Sequence, residues 1–401
     1  MSALARRFDA TEGQVWTLAL GLLLAIGLAV AGIPPVVHHD NESEAAAAVP
    51  SRASRSPATS PLTPATPFTE ASPAAGAGLS SNPEPTVAAG DSASAPAPAP
   101  RPPFGTVASL AELEAPMGGV AAGGGTVYVG TDGTAASRVL VYSATGHRLR
   151  DITIEGQPDS HTRGITALSL AQDGALIAVD AATARVLRID PETGRQSSVA
   201  TVVDLPSCVL APGAPRCEAG LQDHRPLLTG VTASGDGTIL VADSAQGTVW
   251  RIRPGGEPEI WSQPVQQASG DGPTALAIAP DGTVICTVGA DLNPSNPTAA
   301  SVYRIPVGAD GSAGDPVLLA RLARGDQPTG VVAGSDGRIF IALHGSSSIV
   351  VLNSDATEAA RLKDEAIDGP VGLALSSSGQ LLATTHPATG PSRLLGISID
   401  A

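Results

Sequence analysis

Cationic residues are scarce in this chain: 23 Lys and Arg stand against 38 Asp and Glu, a net charge of −15 over 401 residues. No run or stripe of Lys or Arg relieves that deficit. Nucleic acids are held mainly by neutralising their phosphates, so this balance speaks against a nucleic-acid partner. It speaks equally against peripheral attraction to an anionic lipid surface.

Cysteine is rarer still, at three residues. Cys208 and Cys217 share a Pro-bearing segment, and in an oxidising compartment they are expected to form a disulfide. A paired-cysteine metal site needs a second ligand pair, and the sequence has none. Cys286, within Thr283-Val284-Ile285-Cys286-Thr287-Val288, reads as a buried strand thiol. Also lacking is a Gly-x-Ser-x-Gly elbow in a strand-to-helix setting, so no Ser-His-Asp triad is indicated.

What the chain does have is divided sharply along its length. Residues 15–33 carry no charge and include six Leu, two Ile and two Val. As a helix this stretch spans about 28 Å, close to the hydrocarbon thickness of a bilayer. Arg6 and Arg7 precede it and Asp40, Glu42 and Glu44 follow, which orients the N-terminus to the cytoplasm. Residues 1–14 are thus expected to be cytoplasmic and 15–37 a single-pass signal-anchor. A cleaved secretory signal is the alternative, because Ala29-Val30-Ala31 has the form of a cleavage site. Both place the remainder outside the cytoplasm, at the cell membrane or secreted.

Residues 38–104 are rich in Pro, Ala, Ser and Thr, with strings such as Ala95-Pro96-Ala97-Pro98-Ala99-Pro100. Such a segment has too little large apolar side chain to pack a core, so it reads as an extended linker.

From residue 105 to 401 one phrase recurs. Gly164-Ile165-Thr166-Ala167-Leu168 leads through Asp173-Gly174 into Leu176-Ile177-Ala178-Val179 and then Val186-Leu187-Arg188-Ile189. The same order returns around Asp236-Gly237, Asp281-Gly282, Asp336-Gly337 and Ser378-Gly379, and a weaker copy opens the region around Gly124-Gly125. Asp-Gly between apolar runs signals a hairpin, read here as a type I′ turn. Six units of four short strands predict an all-β, six-bladed β-propeller. The last unit shows only three strands, so the segment 106–113 is expected to complete blade six and close the ring.

In a propeller the A–B and C–D turns of each blade share one face, and the B–C loops and inter-blade connections share the other. The insertions fall on the second face, which is the expected site. Polar residues recur there just after strand B: Asp132, Asp180, Asp243, His344 and His386. The aspartates suit turn capping as well as binding. His344 and His386 occupy neighbouring blades, where two imidazoles near one channel mouth serve acid–base chemistry, bind a metal or simply stand in solvent. His161, in the connection between blades one and two, is a further candidate contact.

The repeated phrase resembles that of the NHL-type and gluconolactonase-like six-bladed propellers. That resemblance implies a divalent metal held by carboxylate and Asn side chains at the inner ends of the A strands. The residues just before the repeated Gly-apolar step here are Arg163, Thr229, Thr329 and Val371, with Thr274 nearby in blade four. None is a carboxylate or Asn, so the expected ligands of a divalent metal are absent and no cofactor is expected. Two functions remain open: a recognition module for a small-molecule, glycan or protein ligand, or a hydrolase or lyase working in the channel.

Overall fold

The computed structural model describes residues 104–114, 117–132, 136–159, 163–205, 225–264, 272–289, 300–323 and 325–399. The anchor, the linker up to residue 103, His161, Cys208 and Cys217 lie outside the described residues. Among the described residues no helix is long and apolar enough to cross a membrane.

All elements there are strands. β1 (Val107–Leu113) comes first. Blade one follows, with β2 (Met117–Gly123), β3 (Thr126–Thr131), β4 (Arg138–Ser143) and β5 (Arg148–Thr153). Blade two holds β6 (Ile165–Leu170), β7 (Leu176–Asp180), β8 (Arg185–Ile189) and β9 (Gln196–Thr201). Blade three holds β10 (Leu228–Ala233), β11 (Ile239–Asp243), β12 (Thr248–Ile252) and β13 (Glu259–Ser262). Blade four holds β14 (Pro273–Ile278), β15 (Val284–Val288), β16 (Ser301–Ile305) and β17 (Val317–Arg321). Blade five holds β18 (Pro328–Ala333), β19 (Ile339–Leu343), β20 (Ser348–Leu352) and β21 (Glu358–Leu362). Blade six holds β22 (Pro370–Leu375), β23 (Leu381–Thr385) and β24 (Ser392–Ile397). Its sheet runs β1-β24-β23-β22, so the first strand is the outer strand of the last blade. β1 lies antiparallel to β24, from Val107 opposite Ile397 to Leu113 opposite Ser392.

The innermost strands pack in a closed circuit, β22 returning to β2. Each strand therefore has a neighbouring blade on both of its faces. That is why the central strands read as unbroken apolar runs and not as alternating ones. The core is divided accordingly into six clusters, one per blade interface. Ile177 and Val179 meet blade three, for example, while Leu176 and Ala178 meet blade one. Cys286 is a free thiol in the cluster between blades three and four, wholly buried, and burial pushes its pKa far up.

The Asp-Gly hairpins differ from the expected turn. Gly174 N donates to Ala171 O (2.9 Å) and Ala171 N to Ala175 O (2.8 Å), a three-residue loop in which only the glycine has positive φ, +82°. A type I turn followed by a left-handed glycine answers the strand twist with one special residue, where type I′ needs two. The aspartate is then free to cap the loop: Asp236 accepts from Thr238 N (2.9 Å) and Asp281 from Thr283 N (3.0 Å).

Those caps set an acid response. Hydroxyl hydrogen bonds from Ser234 and Thr283, then backbone N–H groups, hold the Asp236 and Asp281 carboxyls below their ordinary range. Ser312 and Thr357 do the same for Asp310 and Asp355 in the C–D turns. A depressed folded-state pKa contributes stability that is present above the unfolded value, about 3.9, and is lost as pH falls through the folded value. Thermal melts should therefore fall steadily below about pH 4. A melting temperature that stays level through that acid range would contradict the caps.

Candidate functional site

Strand pairing assigns the face bearing the B–C loops position by position. The last residues of the second strands are Thr131, Asp180, Asp243, Val288, Leu343 and Thr385, opposite Met117, Ile165, Leu228, Pro273, Pro328 and Pro370. Asp180 and Asp243 therefore share one position. Asp132, His344 and His386 belong to the next, together with Ala181, Ser244 and Gly289. This corrects the sequence reading, which put all five polar residues in one row. A one-residue offset in a strand turns a side chain to the opposite face.

The backbone confirms the second row. Ala181 N, Ser244 N, Gly289 N, His344 N and His386 N each donate to the carbonyl just ahead of their own inner strand, at 2.7 to 3.3 Å. The four-residue loops 181–184, 244–247 and 344–347 also match. Each ends on a residue with positive φ: Ala184 (54°), Gly247 (65°) and Ser347 (44°). Counting back from that residue separates the two rows, and Gly247 was the only one of the three visible as a sequence signal.

The two rows have different chemistry. Asp180 is wholly buried and accepts from Gln157 Nε2 (2.8 Å), Ala182 N (3.1 Å), Thr183 Oγ1 (2.5 Å) and Arg185 Nη2 (2.9 Å). Asp243, equally buried, accepts from Leu227 N (3.0 Å), Gln246 N (3.2 Å), Gln246 Nε2 (2.7 Å) and Trp250 Nε1 (3.2 Å). Burial pushes its carboxyl above the ordinary range, against the pull of those donors. As pH falls through a raised folded-state value, the contribution of such a group to stability grows, opposite in sign to the turn aspartates. Both carboxylates knit the B–C loop to the incoming connection and offer no free edge to a ligand.

The outer row turns toward the next blade. Asp132 Oδ1 accepts from Gly164 N (2.6 Å) and Oδ2 from Arg163 Nη1 (3.4 Å). The His344 ring lies against Gly369, the residue of blade six that corresponds to Gly164. A Cβ on Gly369 would stand 2.9 Å from His344 Cε1 and 2.5 Å from His386 O, so the first imidazole and the backbone of the second histidine close on one point. Gly369 has φ +57° and fits there only because it has no side chain. His344 Nδ1 is buried without a hydrogen-bond partner, whereas His386 is exposed. Beside them Ser347 Oγ donates to Asp368 Oδ1 (3.0 Å) and accepts from Gly369 N (3.2 Å). Sequence reasoning missed Ser347, Asp368 and Gly369, since none belongs to the repeated phrase.

At the inner ends of the A strands, bulges mark the second residue: Gly118, Thr166, Thr229, Thr274, Thr329 and Val371. In blade two that residue is Thr166, not Arg163, because Ile165 pairs with Asp180 and Ala167 with Val179. Thr166 Oγ1 donates to Leu228 O (2.7 Å), Thr229 Oγ1 to Pro273 O (3.2 Å) and Thr329 Oγ1 to Pro370 O (2.9 Å). Each acceptor opens the inner strand of the next blade. Thr274 Oγ1 turns instead to Thr287 Oγ1 (2.9 Å). These hydroxyls bind blade to blade, and they leave neutral oxygens around the channel.

Solved structures share this architecture. A gluconolactonase from Xanthomonas campestris matches with a TM-score of 0.52 at 14% identity, over 73% of this chain and 89% of that one. A putative gluconolactonase matches with 0.52 at 16%, over 73% and 92%. Regucalcin from Agrobacterium tumefaciens, described as calcium-binding, matches with 0.51 at 16%, over 72% and 92%. The fold is the gluconolactonase-like six-bladed propeller. At these identities the likeness is one of fold alone. No family model matches the chain, and no curated protein matches it.

A divalent cation would want several oxygen ligands, preferably anionic. The inner positions of this propeller supply four threonine hydroxyls already hydrogen-bonded within the protein, one valine, one glycine and no carboxylate. They do not fit such a metal. Among the described residues no three His, Cys, Asp or Glu side chains are grouped to hold one.

Proposed function

We propose that this propeller is a recognition domain, held outside the cytoplasm by the 15–37 anchor and the 38–104 linker. It binds an envelope or extracellular ligand on the face bearing its B–C loops. The observation that carries this reading is the commitment of the acceptors on that face: Asp132, Asp180, Asp243 and Asp368 all hold internal donors. A metal-assisted hydrolase needs those oxygens free.

The second reading is a hydrolase or lyase working without a metal, with His344 and His386 as acid and base. The orphaned His344 Nδ1 favours it, because a buried polar atom without a partner is often one reserved for chemistry. The two readings separate in one experiment on the full-length protein. Lactones, esters and glycans are screened for thermal stabilisation and for turnover, with and without EDTA. Recognition predicts stabilisation that is indifferent to EDTA, with no turnover. Turnover lost about 100-fold or more in His344→Ala and His386→Ala would establish the second reading instead.

A further inference from the structure

We infer that the outer edge of blade four is an interface with a second copy of this chain, in which two β17 strands meet antiparallel about a two-fold axis near Leu318. This surface is separate from the rim that bears the B–C loops, and the inference does not depend on what that rim binds. The starting point is where apolar surface is left in the open. Six large apolar side chains are exposed among the described residues, and Val307, Val317 and Leu318 are three of them. All three belong to the hairpin from β16 to β17. Its loop turns back through Gly314 N to Pro306 O (2.8 Å) and the pairing of Val307 with Ala313, so Val307 lies in the loop that leads into β17.

β17 is the last strand of its sheet, so one row of its backbone N–H and C=O groups lacks a neighbouring strand. Outer strands elsewhere in the ring are guarded. β5 carries Arg148, Arg150 and Asp151, β21 carries Glu358 and Arg361, and β13 has four residues and opens on Glu259. β9 begins Gln196-Ser197-Ser198, and β1 carries Glu112. In β17 the run Val317-Leu318-Leu319-Ala320 has no charged or polar side chain. An unguarded apolar edge is a template for another strand.

Charge selects the occupant. Asp315 and Arg321 flank the apolar run, each three residues from Leu318, and both are exposed. Neither charged group has an ion pair or side-chain hydrogen bond among the described residues. Pro316 confines Asp315 to an extended backbone, so the acid continues the line of the strand. A complementary strand must carry the same charges in reverse, an acidic and a basic residue six positions apart around an apolar centre. Turned through a two-fold axis, this chain supplies them: each Arg321 comes to the end where the other copy's Asp315 stands. Parallel pairing would set like charges together. The bulge at Leu319, opposite the step from Tyr303 to Val302, twists the strand. The contact is therefore short, and at its centre the two Leu318 side chains pack on each other.

The test is sedimentation of the full-length protein in a density-matched detergent. The parent is expected to be a dimer. Leu318→Lys, Asp315→Arg and Arg321→Asp should each weaken self-association at least about tenfold, since each sets like charges across the axis. Mixing Asp315→Arg with Arg321→Asp in equal amounts restores an opposite charge at both ends, and the mixture is expected to dimerise as the parent does. Matching melting temperatures show that the variants are folded. A monomeric parent overturns the inference, whether the chain's own linker or another protein covers the edge. A dimer unchanged by Leu318→Lys, or a mixture no more associated than either variant alone, overturns it as well.

Discussion

Replacing Gly118 by alanine should destabilise the propeller by about 3 kcal/mol, the upper part of the usual range for an overpacked interior. Gly118 is the second residue of β2, at the tightest point of the ring. A Cβ there would stand 1.8 Å from Ile165 O and 2.9 Å from Ile165 C, both backbone atoms of the next inner strand. No rotamer change relieves a collision between two backbones; blades one and two must part. The Gly118 carbonyl is also the acceptor for Thr384 Oγ1 of blade six (3.2 Å), so a shift of β2 loosens both of its neighbours. For a domain of this size the loss amounts to roughly 6–12 °C in melting temperature. Gly235→Ala is the control: its nearest atom would be Gln172 Oε1 at 3.6 Å, and its melting temperature should stay within a degree or two of the parent. A Gly118→Ala protein as stable as that control would mean that β2 and β6 do not approach each other as described.

Removing residues 1–113 should cost far more than removing residues 1–103. The shorter truncation spares every described contact of the ring closure. The longer one strips β1 from β24 and uncovers the edge of blade six. It also removes Leu113, buried between blades six and one, and the bonds from Gly105 N to Ser398 O (2.7 Å) and from Ser398 N to Thr106 O (3.0 Å). Arg338 loses a partner as well. Its guanidinium lies 6.0 Å from the Phe104 ring and 5.5 Å from the Phe340 ring, and Nη1 donates to Ile399 O (3.0 Å). One buried leucine and a strand of hydrogen bonds together amount to at least about 3 kcal/mol. The expected result is a broad, early melt with aggregation through the bare edge, partly restored by adding the peptide 104–113. An unchanged, sharp melt would show that the ring does not depend on its first strand.

Both experiments probe contacts whose pattern was visible in the sequence to different degrees. Gly174, Gly237, Gly282 and Gly337 could be seen as hairpin glycines because a turn is local. The apolar runs at Leu176–Asp180 and Ile339–Leu343 could be seen as central strands because each is flanked by turns a few residues away. The closing strand could be inferred too, since a sixth unit with three strands needs a fourth. The type of turn could not, because Asp-Gly serves both the two-residue and the three-residue loop, and the hydrogen bond from Gly174 N to Ala171 O decides between them.

For the site, the sequence determined which residue types stand at the rim: aspartates in the early blades, histidines in the last two, and threonines where carboxylates were sought. Only the tertiary structure decided what those groups are already doing. Thr166 meets Leu228 across 62 positions, Thr229 meets Pro273 across 44 and Thr329 meets Pro370 across 41, and no pattern within one repeat reports a bond made to the next. The same holds for the rows of polar residues. Asp180 and His344 follow their strands with one residue of difference, which spacing alone blurs and strand pairing resolves, since alternate residues face opposite blades. Local turn chemistry and hydrophobic period act over a few residues and survive in the sequence. Register and the partners of buried polar groups arise between strands brought together by closure of the ring.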